Sequence, residues 1–198
     1  MGFGMVFQLV SFRRTGVLPG PLTLVVCGVV VVLAVVILVG TGRAVWLSGW
    51  VLAVLLGLDF AGAVADRLGA FGPPGAVGVS WGGWEPFVDY TARLLPSGTS
   101  GALVTVAALA ATTAEVTLGV VLVSGWQRRW AGKAAAGLLL VYLWSMGWAL
   151  GSDAVALYGL PLQIGGALLM SSCPAGRLAG AARAELRRES RVRARSAT

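Results

Sequence analysis

The chain has 198 residues, 57% hydrophobic and 12% charged, with a mean hydropathy of +0.84 and a net charge of +7. Soluble domains carry about 25% charged residues, so this composition argues against an ordinary water-soluble fold and for repeated crossing of a bilayer. The lack of histidine removes His-ligated haem, zinc or copper and a histidine general base.

Five segments are apolar and long enough to cross, and they set an all-α fold class: a polytopic membrane helix bundle. The first, Pro21–Gly40, is uncharged and reads as a retained helix rather than a cleaved signal. The second, Ala44–Val64, carries Asp59 alone; the third, Ala102–Ser124, carries Glu115 alone; the fourth is Ala134–Leu150. The fifth, Ala154–Ser171, contains Pro161, which predicts a kink near Tyr158 and Gln163. Short turns at Thr41–Arg43 and Gly151–Asp153 make helices one and two, and helices four and five, antiparallel neighbours. Three regions follow: an N-terminal segment with an extra transmembrane helix (1–43), a four-helix core (44–174) and a basic tail (175–198). Cys27 and Cys173 have no CxxC spacing, assemble no iron–sulfur or zinc set, and read as small apolar residues at different depths.

Orientation follows from lysines and arginines near the span ends. With the C-terminus in the cytoplasm, Arg43, Arg128, Arg129, Lys133 and the seven tail arginines lie inside, against Arg13, Arg14, Arg67 and Arg93 outside. "QRRWAGK" (Gln127–Lys133) then reads as a basic cytoplasmic turn. The tail holds seven arginines against Glu185 and Glu189, a charge that anionic lipid headgroups match better than nucleic acid does. The connection 65–101 predicts a short amphipathic helix at the outer interface in "WEPFVDYTARLLP", with Trp81, Trp84 and Tyr90 at headgroup depth. Asp66 and Arg67 are expected to reach that same interface.

Glu115 is the sole charge between Arg93 and Arg128. An acid near a helix centre is unfavourable by roughly 2.5–3.5 kcal/mol on insertion scales, so it must face other helices, carry a proton or meet a cation. Thr112 lies one turn before it and can donate a hydrogen bond. Two roles fit: an acid that handles protons or binds a ligand, or a polar tie between helices. Asp59 is the second such acid, and antiparallel packing of its helix against that of Glu115 puts both on one cavity. Tyr142, Trp144 and Met146 on the fourth span are candidates for holding an aromatic ring, or are anchors and core filler.

The string "DYTARLLP", then "AEVTLGVVLVSGW", a basic turn, "AAAGLLLVYLWSMG" and "LYGLPLQIGGALLM" resembles the DoxX/DoxD family of small bacterial membrane proteins over roughly Trp50–Ser172. The resemblance implies a four-helix membrane bundle in the bacterial plasma membrane, associated with thiosulfate:quinone oxidoreductase or partnered with redox enzymes. Glu115 matches the family's acid in the span after the "Y…LP" loop. The extra N-terminal helix and "ADR" (Ala65–Arg67) depart from the family pattern. The expected function is therefore an integral membrane subunit of a redox system. Glu115 and Asp59 would be its catalytic acids, Thr112, Tyr142, Trp144 and Met146 its substrate-binding residues, and quinone its cofactor, without metal or haem. The alternative is a non-catalytic scaffold that docks a protein partner.

Overall fold

The computed structural model describes residues 21–173 apart from residues 77, 152–154 and 156–158, with side chains from Gly28 onward. It is all-helical among the described residues: α1 (Pro21–Val39), α2 (Arg43–Arg67), α3 (Trp84–Leu94), α4 (Gly101–Ser124), α5 (Arg128–Leu150) and α6 (Leu160–Ser172). Three of these, α2, α4 and α5, are long and apolar enough to cross a membrane; Gly28–Val39 and α6 are shorter apolar helices. The expectations for Arg13, Arg14, Cys27, Tyr158 and the tail 175–198 fall outside the described residues or side chains.

Helix α2 packs against α1, α4 and α6, while α5 packs against α6 and α4. The α2–α4 crossing is antiparallel and rests on two glycines. A Cβ at Gly57 would lie 2.8 Å from Val123 Cγ2 and 3.0 Å from the Gly119 carbonyl, and one at Gly119 would lie 3.2 Å from the Gly57 carbonyl. Such close backbone approach is how apolar helices associate where lipid removes the hydrophobic drive. The α5–α6 contact repeats the device at Gly132, whose Cβ would lie 2.8 Å from the Ala167 carbonyl. Leu52, Leu56, Phe60, Leu122, Leu139 and Met170 fill the space between the helices. Leu103, Val106, Leu109, Val116 and Val120 on the other face of α4 are exposed, as suits a lipid-facing surface.

The α4–α5 turn is shorter than the sequence reading has it. Gly125, at φ 70°, caps α4 with its N–H on the Leu122 carbonyl, and α5 begins at Arg128. Most of the expected basic turn is thus helical, and Arg128 is buried against Gly49 and Trp46. Pro161 also stands elsewhere than expected. It occupies the first turn of α6, where a missing N–H deprives the helix of nothing, so it starts the helix rather than kinking it.

Helix α3 forms where the sequence reading places it and packs on α4 and α5 at the end of the bundle where α2 finishes. Phe87 and Thr91 are its buried face. Trp81 is buried rather than at headgroup depth, edge-on to Phe87 (centroids 5.2 Å) and to Tyr90 (5.9 Å).

Candidate functional site

Helical side chains lean toward the N-terminus of their own helix. Helix α2 runs toward the α3 end of the bundle, so Arg67 at its last turn leans back into the bundle. Helix α4 runs the other way, so Glu115 leans up toward it. Helix α5 runs parallel to α2, and Tyr142 leans down. The three side chains meet: Arg67 Nη2 lies 2.8 Å from both carboxylate oxygens of Glu115, with hydrogen-bond geometry to Oε1. Tyr142 Oη–H donates to the same Oε1 at 2.6 Å. Arg67 Nη1 donates to Thr112 Oγ1 at 3.0 Å, and that hydroxyl donates in turn to the Ala108 carbonyl at 2.9 Å. The Arg67 and Glu115 side chains are 3% and 2% exposed, so each charge is compensated by the other rather than by water.

The rest of the guanidinium environment is aromatic. Its carbon sits 3.8 Å from the Phe87 ring centroid and 5.0 Å from that of Trp81, contacts that strengthen when desolvated. Trp81 is held there by Asp66, the sequence neighbour of Arg67, across the loop. The Asp66 carboxylate accepts from the backbone N–H groups of Ser80 (2.9 Å), Trp81 (3.0 Å) and Gly82 (3.2 Å). Gly82, at φ +64°, lies so near Pro73 and Pro74 that a Cβ would be 2.5 Å from the Pro74 nitrogen. Asp66 and Arg67 therefore both turn inward, and neither is the interface charge that counting along the span predicts; both are buried. Asp66 ties the loop down and Arg67 enters the bundle beneath it.

Beside this cluster lies a cavity of about 460 Å³. Glu115, Arg67, Tyr142, Asp59 and Met146 all line it, with Gln163 of α6 donating to Asp59 Oδ2 at 3.0 Å. The two acids share one cavity, each with a partner of its own: Asp59 with Gln163, Glu115 with Arg67 and Tyr142. Thr112 stands behind Arg67, positioning it rather than lining the cavity. Trp144 is not brought to the site. It is 74% exposed and borders a shallow depression with Trp148 on the outer face of α5.

Two buried polar atoms of the cluster have no hydrogen-bond partner among the described residues: Arg67 Nε, a donor, and Glu115 Oε2, an acceptor that is in ion-pair contact alone. Buried polar groups are nearly always satisfied, so this unmatched donor and acceptor set the cluster apart, although neither atom has surface of its own open to the cavity. No group of three or more metal-binding side chains occurs among the described residues.

Comparison with family models, curated proteins and solved structures finds no match. The site must therefore be argued from its own chemistry.

Arg67, Phe87, Trp81 and Gln163 are the participants that the sequence reading left out. One signal pointed to the first. An acid inside a span needs a cation, and between Arg43 and Arg128 the chain offers Arg67 and Arg93 alone. Gln163 stood out only as a neighbour of the expected Pro161 kink, a candidate site; its bond to Asp59, 104 residues away, had no signal along the chain.

Proposed function

We propose that this chain is a polytopic protein of the bacterial plasma membrane, C-terminus cytoplasmic, whose four-helix core and extra N-terminal helix serve a redox system by holding a quinone-type ring. The observation that carries the proposal is the apolar-walled cavity bordered by the buried Arg67–Glu115–Tyr142 cluster. Its volume of about 460 Å³ is in the range of small-molecule sites. A quinone ring is flat and apolar, and its carbonyl oxygens need hydrogen-bond donors, which the guanidinium of Arg67 supplies. Reduction to the quinol takes two electrons and two protons. Glu115 and Asp59 are the acids placed to pass the protons. The electrons come from a donor outside this chain, such as two thiosulfates joining as tetrathionate, in keeping with the DoxX/DoxD resemblance.

The test is anaerobic reduction of a soluble benzoquinone by thiosulfate with purified protein, alongside quenching of tryptophan fluorescence by the same quinone, since Trp81 lines the cavity. Saturable quenching is expected, with turnover lowered about 10²–10⁴-fold in Glu115→Gln, the range for loss of a general acid–base group. Quenching without saturation would sink the binding site, and unchanged turnover in the variant would remove Glu115 from proton transfer.

A non-catalytic subunit is the second reading, favoured by Trp144 and Trp148, which are 74% and 85% exposed on one face of α5. An enzyme that co-purifies with the wild type and is lost on Trp144→Ala/Trp148→Ala, without quinone turnover, supports this reading.

A further inference from the structure

We propose that the ligand enters sideways from the bilayer, between α4 and α5, and that the site is built for a ring carrying a long apolar chain that stays in that opening. The inference rests on the quinone reading above and adds the route and the substrate class.

The walls on either side of the opening differ in kind from the rest of the cavity. Ala107, Ala110, Ala111 and Ala114 recur at i, i+3, i+4 and i+7, so one stripe of α4 presents methyl groups alone to the cavity. Opposite, Val141 of α5 lines the cavity and is also 62% exposed. Ala110, likewise a lining residue, is exposed too. The cavity therefore reaches the outer surface of the bundle between these two residues.

The depth of that opening decides what lies outside it. Helices α4 and α5 are antiparallel and joined by the tight turn at 125–127. Ala110 and Val141 each stand about 20 Å along their helix from that turn, at ~1.5 Å per residue. That places both well inside a hydrocarbon layer about 30 Å thick, so the surface outside them is lipid, not water. The route from the aqueous side is covered. Phe87 and Leu94 of α3 line the cavity at that end, and Asp66 fastens the loop leading into α3.

At the inner end of the opening, the Arg67 guanidinium and the Glu115 carboxylate border the cavity. A ring oxygen of the oxidised ligand takes a guanidinium N–H, and a ring hydroxyl of the reduced one reaches the carboxylate. An isoprenoid chain of many units cannot fit in about 460 Å³ together with its ring. It must pass out between Ala110 and Val141 to lie among acyl chains.

The experiment compares a chainless dimethoxy-methyl-benzoquinone with the same ring carrying a long isoprenoid chain. Both are titrated into wild type, Ala110→Trp and Val141→Trp in nanodiscs, with ligand-induced shifts in the unfolding midpoint giving apparent affinities. Wild type should bind both. Each tryptophan, placed at the rim from a different helix, should weaken the long-chain ligand by about tenfold or more and leave the chainless ring within about twofold, a difference of one decade in Kd. Binding of the chainless ring alone by the wild type overturns the lateral route and keeps the quinone reading. Variants that lose both ligands equally, or neither, also overturn the route. If wild type binds neither ring, the quinone reading falls, and this inference with it.

Discussion

Arg67 and Glu115 stand 48 residues apart in sequence and meet at 2.8 Å between α2 and α4, both almost fully buried. Removing one partner of such a pair strands the other charge, at a cost of about 3–5 kcal/mol, whereas replacing both with apolar residues of similar volume is often neutral. Arg67→Met and Glu115→Leu should each lower the unfolding midpoint in detergent strongly, and the double variant should recover most of the loss. Additive losses in the double variant would show that the pair is not coupled.

The glycine crossing makes a second prediction. Gly57→Ala puts a methyl group 3.0 Å from the Gly119 carbonyl, a backbone atom that cannot step aside without separating the helices. Overpacking of this kind costs about 1–3 kcal/mol. Gly137→Ala is the control, because a Cβ there meets nothing within 4 Å. It should gain about 0.5–1 kcal/mol from helix propensity alone. Equal responses at the two positions would contradict the crossing.

Asp66 holds three backbone N–H groups at once. Asp66→Ala should therefore accelerate amide exchange at Ser80–Gly82 and shift Trp81 emission to the red, while exchange in α5 stays unchanged. Asp66→Asn keeps an acceptor oxygen and should fall between the two. Unaltered exchange at Ser80–Gly82 in the alanine variant counts against the loop clasp.

Cys173 lies buried just past α6, packed on Gly49, and burial pushes its thiol above the ordinary value while the nearby Arg128 guanidinium opposes the rise. The folded state then favours the neutral thiol. Its contribution to stability is fully present below the unfolded thiol's pKa and is lost as pH rises through the folded one. In a Cys27→Ala background, the alkylation rate should climb at a higher pH than for a free thiol, and Arg128→Gln should move that inflection higher still. A profile matching free cysteine would exclude the shift.

Helical class, membrane habit and the need to shelter two acids were all legible from composition and spacing. Runs of apolar residues too long for soluble strands, broken by Gly and Pro, leave little else for a chain to do. Glu115 could be singled out because one carboxylate in an uncharged stretch is conspicuous, and α3 because its apolar period is helical. The partners were not legible. Counting along α2 puts Arg67 at the membrane surface, but a long side chain leaning toward its helix N-terminus reaches a turn or more inward. Which acid meets which group depends on the rotation of one helix against another, set here by glycines that allow the backbones of α2 and α4 to approach. Periodicity along one helix says which residues share a face. Only the packing of several helices says what that face meets, and that is why the shared cavity of Asp59 and Glu115 could be foreseen while the Arg67–Glu115–Tyr142 contact belongs to the tertiary structure alone.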